Sequence, residues 1–338
     1  MKRAIQEIVL MLGAALLVFS LPALAGPDRR QDPDAVALIH RAIALSDIQA
    51  HGAPAFRLHA LLRVRYANGE SEEGQLLRIW TPAGMWHYEQ SLAGYHSVEV
   101  TSGKEVWVAS NLRYVPFPMF LVERALDLPG TLRAARGRGL DEPFPSANGE
   151  QCVRTADGPH AVKYCFDPEN GELRKVVDSL WNVTYEYAEY EFFGEKRFPR
   201  KLRVLRNSGK VFIDIRIDQL APAGSLDLRT FLPVKGSKEH SLAARCGRIE
   251  RPKIKKMVRP EYPEEAEKAG LTGVVRLYAE IGADGIPRGM WPINASPPIL
   301  RQVAIDAVRQ WRYRPQTCKG TGAKMSLVAP ITVLFVSH

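Results

Sequence analysis

Short runs of alternating apolar and polar residues, separated by glycine turns, constrain the fold of this chain more than any other feature. Phe56 to Tyr66 is one such run, and the Asn68-Gly69 pair that follows it is a strong hairpin turn. Further runs follow directly, and they resume from Val162 to Ile217. The pattern predicts a large antiparallel sheet. A helix near Pro33 and a helical segment from Tyr114 to Arg138 are expected to cover one of its faces.

The first 25 residues have the parts of a secretory signal peptide. Lys2 and Arg3 precede an apolar run from Ile8 to Leu21, and Ala23-Leu24-Ala25 supplies a cleavage pattern. The run has 14 residues, whereas a membrane-spanning helix needs about 20. We therefore expect cleavage before Gly26 and a periplasmic or secreted protein. The alternative is an uncleaved anchor in the inner membrane, and only then would the protein be membrane-associated.

Export places the four cysteines in an oxidising compartment, where disulfides form. Four cysteines allow three pairings. Cys152 and Cys165 flank a predicted hairpin with its turn at Asp157-Gly158, which favours a bond between them and leaves Cys246 to pair with Cys318. A zinc site would need closely spaced cysteine pairs, which this chain lacks, so no metal is expected.

The positive charge is concentrated in the last part of the chain. Residues 246–338 hold 15 Lys and Arg against 8 Asp and Glu, whereas the whole chain has a net charge of +9. The sequence therefore predicts a signal peptide over residues 1–25, a first domain over 26–240 and a basic domain over 246–338. The basic surface is either simply solvated or attracts an acidic partner, an anionic envelope surface or a cell-wall polymer. Nucleic acid is not expected as a partner of an exported protein.

The basic domain has a compact pattern of its own. Pro263 marks the start of a short helix, and alternation from Val275 to Ile281 predicts a strand that ends at the Asp284-Gly285 turn. Ser296 is expected to cap a second helix, and the apolar run from Ser326 to Val336 forms a last strand. This order predicts two helices on a three-stranded antiparallel sheet.

Several spaced motifs of this part resemble the TonB C-terminal domain family over residues 252–336. They are a P-x-Y-P opening, a G-x-V entry to the first strand, a D-G turn, a W-x-Y-x-P helix exit and a closing strand, formed by Pro260, Tyr262, Pro263, Gly273, Val275, Asp284, Gly285, Trp311, Tyr313, Pro315, Pro330, Ile331 and Phe335. The resemblance implies that the last strand is a sheet edge, where an extended peptide of an outer-membrane receptor or other envelope protein adds as a further strand. The residues implied in partner binding are Tyr262, Pro263, Thr332, Val333, Leu334, Phe335 and Val336.

The order of the earlier elements, a helix, a long meander, a helical interruption and further strands, resembles the LolA/LolB-like lipoprotein carrier fold. The resemblance implies a curved half-barrel whose concave face could take acyl chains or a lipoprotein. Residues expected on such a face are Trp80, Trp86, Tyr88, Trp107, Phe117 and Phe120, and the alternative is that they form an ordinary core. The predicted fold class is therefore α+β, with a large antiparallel domain followed by a small TonB-like domain.

No motif for a nucleophile, a metal or a bound phosphate occurs in the sequence, so we expect neither an enzyme nor a cofactor. Three functions stay open at this point. The first is a peptide-binding module of the TonB type, the second is a lipid or lipoprotein carrier, and the third is an anchored energy transducer. The sequence favours the first over the third, because the apolar run looks cleavable and no proline-rich spacer follows it.

Overall fold

The computed structural model describes residues 31–102, 105–136, 138–240, 246, 249–319 and 322–335. The predicted signal peptide and Val336 lie outside these residues. The described residues form two compact units. The N-terminal unit contains residues 31–112 and 118–240, and the C-terminal unit contains Arg113–Phe117 together with the described residues after 245.

An antiparallel sheet of thirteen strands, counted over the described residues, makes up most of the N-terminal unit. The strands are β1 (Phe56–Arg65), β2 (Ser71–Trp80), β3 (Trp86–Leu92), β4 (Tyr95–Ser102), β5 (Glu105–Ser110), β6 (Phe144–Pro145), β7 (Gln151–Arg154), β8 (Val162–Phe166), β9 (Leu173–Asp178), β10 (Val183–Phe193), β11 (Lys196–Arg206), β12 (Val211–Pro222) and β13 (Lys238–His240). Their order is β13-β5-β4-β3-β2-β1-β12-β11-β10-β9-β8-β7-β6. Two meanders are thus joined where β1 pairs with β12.

The α-helices that accompany this sheet in the described part of the chain are α1 (Pro33–Ser46), α2 (Phe117–Leu126) and α3 (Leu128–Arg136). The Asp32 carboxylate accepts the N–H groups of Asp34 and Ala35 at 3.0 and 3.1 Å, which caps α1. Helix α1 buries Ala35, Ile39 and Ala42 at helical spacing, and it packs against α3. Helices over one antiparallel sheet confirm the predicted α+β class.

Two disulfides are present, Cys152–Cys165 and Cys246–Cys318, and they are the two pairs that the sequence favoured. Cys152 and Cys165 lie directly opposite each other on β7 and β8. The second disulfide closes a much longer loop, with a sequence separation of 72 residues. It therefore ties the start of the C-terminal unit to a strand near the end of the chain.

The C-terminal unit is a small sheet packed on two helices, as predicted. Its elements are β14 (Ile249–Glu250), β15 (Lys253–Lys256), α4 (Glu264–Lys268), β16 (Gly273–Ile281), β17 (Pro287–Pro292), α5 (Pro298–Arg309), β18 (Arg312–Arg314), β19 (Gln316–Cys318), β20 (Lys324–Met325) and β21 (Leu327–Phe335). The main sheet has the order β17-β16-β21. Leu277 and Ile331 face a core that contains Ala304, Val308 and Trp311.

The start of α5 differs from the sequence prediction. Pro297 takes the cap position with an extended backbone and no side-chain hydrogen bond. The Ser296 hydroxyl oxygen is buried and has no partner among the described residues. The helix therefore begins without a side-chain cap, because the residue suited to that role lies one position too early.

The face of the small sheet that points away from α5 is covered by the segment Arg113–Phe117. The Tyr278 hydroxyl donates to the Val115 carbonyl at 2.6 Å, and the Val115 N–H donates to the Glu280 carboxylate at 2.8 Å. The Phe117 ring packs on Tyr278 at 5.1 Å and on Trp291 at 6.1 Å between ring centroids. These contacts explain why this short segment belongs to the C-terminal unit although it comes much earlier in the chain.

Candidate peptide-binding edge

The last strand, β21, lies at one edge of the small sheet. It pairs with β16 without a register shift, from Leu327 opposite Ile281 to Phe335 opposite Gly273. Its odd-numbered residues are buried in the core, whereas Thr332 is exposed and the other even-numbered residues are half-buried. Within the described residues β21 pairs with no strand other than β16.

The backbone groups of β16 show which groups of β21 point outward. The Arg276 N–H donates to the Asn294 side chain at 2.8 Å, and the Arg276 carbonyl accepts the Ile293 N–H at 2.9 Å. Both partners directly follow β17, so Arg276 directs its backbone groups to the β17 side. Because successive residues of a strand alternate in this direction, Val275 and Leu277 direct theirs toward β21.

The register carries this alternation onto the last strand. Val333 and Ile331, which lie opposite Val275 and Leu277, therefore exchange hydrogen bonds with β16. The even-numbered residues of β21 point their backbone groups away from the sheet. The outward set consists of three N–H donors and four carbonyl acceptors, from Val328, Pro330, Thr332 and Leu334, and none of them has a partner in the part of the chain that the structure describes.

Pro330 fits this arrangement. A proline has no N–H, so within a sheet it is tolerated where the missing donor would face solvent. Pro330 lies opposite Tyr278, at one of the outward positions. It costs no hydrogen bond to β16, although it removes one donor from the outer edge.

The residues predicted for partner binding thus differ in whether their backbone groups face the open edge or the neighbouring strand β16. Thr332 and Leu334 offer their backbone groups at the outer edge, whereas Val333 and Phe335 turn theirs toward β16 and bury their side chains. Tyr262 packs its ring against Phe335 at 6.1 Å between centroids and donates its hydroxyl proton to a backbone carbonyl. It therefore supports the end of the edge strand from the core side. Val336 lies outside the described residues.

Pro263 is the residue before α4 and has an extended backbone. It caps no backbone group with its side chain, and its carbonyl accepts the Glu267 N–H at 2.9 Å. Pro263 thus fixes the start of the helix, which is the structural role that its place in the sequence indicates.

Two further interactions hold the scaffold of the edge. The Trp311 indole N–H donates to the Val258 carbonyl at 2.8 Å. At the turn between β16 and β17, Arg288 donates to both carboxylate oxygens of Asp284 at 2.8 and 2.5 Å. This ion pair lowers the pKa of Asp284 to about 2. This ion pair therefore stabilises the turn that follows Ile281, the last residue of the central strand β16.

The six aromatic residues predicted for a lipid-binding face belong to both units. Phe117 belongs to the C-terminal unit, where it packs on Tyr278. In the N-terminal unit the Trp80 ring stacks on Phe56 at 5.6 Å, and the Phe120 ring packs edge-on against Trp181 at 4.8 Å. Both side chains are half-buried, and Trp80 lies directly opposite Trp86 on the neighbouring strand β3.

The other three candidates are half-buried on β3 and β5. The Trp86 indole N–H donates to Glu99 at 2.9 Å, and Arg78 lies 4.8 Å from the centroid of the Tyr88 ring. Burial raises the pKa of Tyr88 well above its usual value. The indole nitrogen of Trp107 is buried and has no partner within the described residues. Trp86 and Tyr88 thus each have a charged neighbour, and Trp86 also has Trp80 as its cross-strand partner.

Among the described residues, Glu150, Cys152 and Cys165 are the group whose ligand-type atoms lie close enough for a shared metal ion. The two sulfurs form a disulfide, so neither is available as a thiolate ligand. None of the described helices is both long enough and apolar enough to span a bilayer.

Residues 258–335 match the family model described as Gram-negative bacterial TonB protein C-terminal. The match lies within the C-terminal unit and includes β21 up to its last residue. Comparison with curated protein sequences finds no match. The motifs from Pro260 to Phe335 that carried the resemblance in the sequence all lie inside the matched region.

Solved structures resemble the N-terminal part. A LolA superfamily protein from Nitrosomonas europaea is 13% identical with a TM-score of 0.41, and the likeness covers 59% of this chain and 97% of that one. A DUF1329 family protein from Desulfovibrio piger is 10% identical with a TM-score of 0.40, covering 58% and 96%. The MucA/MucB complex of Pseudomonas aeruginosa is 11% identical with a TM-score of 0.26, covering 68% and 72%.

Proposed function

We propose that this protein is a non-catalytic periplasmic protein of the cell envelope, whose C-terminal unit binds an extended segment of an outer-membrane receptor or another envelope protein. The segment adds to β21 as a fourth strand of the small sheet. The observation that carries the proposal is the row of unpaired backbone groups on the outer side of Val328, Pro330, Thr332 and Leu334. An edge of this kind is a template for another strand.

The geometry limits what such a segment can gain. Three donors and four acceptors allow up to seven main-chain hydrogen bonds, and each contributes about 0.5–1.5 kcal/mol net. Part of this free energy is lost again, because an extended segment must be ordered when it binds. Binding through the backbone alone is therefore expected to be modest, and side chains must supply the specificity.

The side chains around the edge indicate which segment would fit. Leu334 and Val274 are a cross-strand pair on the sheet face that points away from α5, and Val274 is 39% exposed. Thr332 is exposed on the same face, next to Leu334 along the strand. We therefore expect an apolar side chain of the bound segment opposite Leu334 and a polar or small one opposite Thr332.

A peptide array tests the proposal. It carries periplasmic segments of the outer-membrane receptors of the same bacterium, and the full chain is the analyte. Thr332→Pro removes one outward donor and places a ring where the segment must lie, so we expect at least about tenfold weaker binding. Thr332→Val keeps the N–H and the shape of the residue and is the matched control.

Two results would count against the proposal. One is that no peptide of the array binds the full chain. The other is that Thr332→Pro binds as well as Thr332→Val, since a segment that does not pair with the edge would be indifferent to the loss of its donor. Capture by the wild type and by Thr332→Val, together with loss in Thr332→Pro, is the result that the proposal requires.

A further inference from the structure

A second surface of the C-terminal unit is unusually rich in positive charge. Strands β15 and β18 form a two-stranded ribbon, with Lys253 opposite Arg314 and Lys256 opposite Arg312. All four side chains are exposed, and so is Lys255 between them. The ribbon lies apart from β21 in the sheet pattern, because it belongs to a separate two-stranded sheet.

The register brings these four cations to one face of the ribbon. Arg312 and Arg314 are two residues apart on a strand, so their side chains point to the same side, opposite the buried Tyr313. The register shifts between Ile254 and Lys256, and this bulge turns Lys256 to the same face as Lys253. The result is a group of four cations, about 5 Å apart across the ribbon and about 7 Å apart along it.

None of these four cations has an ion-pair partner among the described residues. Arg312 donates only to backbone carbonyls, those of Arg309 and Trp311. Three acidic side chains of the same unit pair with other cations, as Arg288–Asp284, Arg309–Asp306 and Lys268–Glu264. Like charges directly opposite each other destabilise a strand pair. The ribbon therefore has a cation pattern that an external anion would stabilise.

We propose that this ribbon docks the protein onto the phosphate groups of an anionic phospholipid membrane. Four exposed cations on one face match a surface of many negative headgroups, to which each lysine or arginine adds attraction. Ile254 lies opposite Tyr313 and therefore on the other face of the ribbon, so the basic face offers charge. Met257, just after the strand, is 39% exposed.

An acidic polypeptide fits the ribbon less well. A peptide of that kind would gain most by pairing with the free side of β15, but the bulge at Lys255 interrupts the regular ladder there. The exposed lysines also lie along the edge strand, and edge lysines hinder the addition of another strand. The ribbon is therefore suited to electrostatic attraction rather than to strand pairing. An anionic membrane surface can bind through electrostatic attraction alone.

The test is co-sedimentation of the full chain with vesicles of phosphatidylcholine that contain phosphatidylglycerol, against vesicles of phosphatidylcholine alone. We expect binding to the anionic vesicles only, and weaker binding when the salt is raised well above about 0.15 M. In Lys253→Gln/Lys256→Gln each lost cation reduces the partition constant roughly fivefold, so the double variant binds roughly 25-fold more weakly. Lys268→Gln/Lys324→Gln is the matched control, since it removes the same charge from exposed positions on α4 and β20.

Retained binding by the control and loss in the ribbon variant would support the proposal. Equal loss in both double variants would overturn it, because the attraction would then depend on net charge and not on the ribbon. Binding of a polyglutamate peptide without binding of anionic vesicles would also overturn it and would indicate an acidic polypeptide as the partner. Hydrogen exchange over residues 271–282 that matches the wild type shows that a variant is folded, and the array of receptor peptides tests the other edge independently.

Discussion

Of two proline substitutions at neighbouring positions of β21, one should destabilise the small sheet and the other should leave its stability nearly unchanged. Thr332 directs its N–H outward, whereas Val333 donates its N–H to β16, opposite Val275. Thr332→Pro therefore removes a donor that only water satisfies, and Val333→Pro removes a donor of the ladder. The residue before each proline is already extended, so neither substitution forces a new backbone conformation on its neighbour.

The expected sizes follow from these contacts. Val333→Pro leaves the Val275 carbonyl buried without its partner, which costs about 1–3 kcal/mol, and the ring adds a steric cost against β16. Thr332→Pro is expected to stay within about 0.5 kcal/mol of Thr332→Ala, as an exposed substitution does. The alanine variants Thr332→Ala and Val333→Ala remove the two side chains without touching the N–H groups. Subtracting the free-energy change of each alanine variant from that of the proline variant at the same position isolates the effect of the lost N–H donor.

Hydrogen exchange measured by mass spectrometry over residues 271–282 reports on this sheet without contributions from the N-terminal unit. Relative to its alanine control, Val333→Pro should speed exchange in this segment by at least about fivefold, whereas Thr332→Pro should leave it nearly unchanged. Equal acceleration in both proline variants would refute the assignment of inward and outward backbone groups. Faster exchange in Thr332→Pro alone would mean that the two sides of the strand are reversed.

Other predictions concern the scaffold of the same unit. Replacing Cys246 and Cys318 by alanine should lower its free energy of unfolding by about 4 kcal/mol on the chain-entropy model, because the disulfide closes a long loop; denaturant titration of the oxidised protein is the comparison. The folded pKa of Asp284, about 2, lies below its ordinary value of 3.8, so the pair with Arg288 stabilises fully above about pH 4 and is lost as the pH falls toward 2. Since the carboxylate is 43% exposed, the contribution should stay under about 1 kcal/mol, and Asp284→Asn should abolish its pH dependence in acid titration of unfolding. Trp311→Phe loses the hydrogen bond of a buried indole and should destabilise the unit by about 1–3 kcal/mol in the same titration, whereas an unchanged midpoint would contradict the contact.

Much of the small sheet could be predicted from the sequence. Alternation from Val275 to Ile281 gave the central strand, and the Asp284-Gly285 pair gave its turn, because a backbone with positive φ is needed there. Gly285 has φ 77°, and a Cβ at this position would collide with the Tyr313 carbonyl. The side-chain period of two also separates core from surface along β21.

The lateral direction of the backbone groups is harder to predict, because it depends on which residues of two strands face each other. Pro330 was the available signal. A proline inside a strand must point its nitrogen to the open side, and this places Val328, Thr332 and Leu334 on the same side two and four residues away. The sequence alone led us to count Val333 and Phe335 with the binding residues, whereas their backbone groups serve the ladder to β16.

The packing of residues far apart in the sequence could not be predicted from the pattern of apolar and polar residues. Nothing in the Arg113–Phe117 segment indicates that it would cover a sheet formed more than 150 residues later, as the hydrogen bond between Val115 and Glu280 requires. Phe117 was accordingly assigned to a lipid-binding face. The basic ribbon was also missed, since Lys253–Lys256 has no run of alternating apolar residues and its strand exists through pairing with β18.

The most direct test of the account follows the backbone amides of β21 one by one in hydrogen exchange, with and without a receptor peptide selected on the array. We predict that the Thr332 and Leu334 amides exchange fast in the free protein and become protected in the complex, while the Val333 amide is protected in both. Protection of Thr332 and Leu334 before any peptide is added would contradict the account, because the outer edge would then already be occupied. Peptide binding that leaves both amides fast would contradict it equally, since the segment would then bind elsewhere.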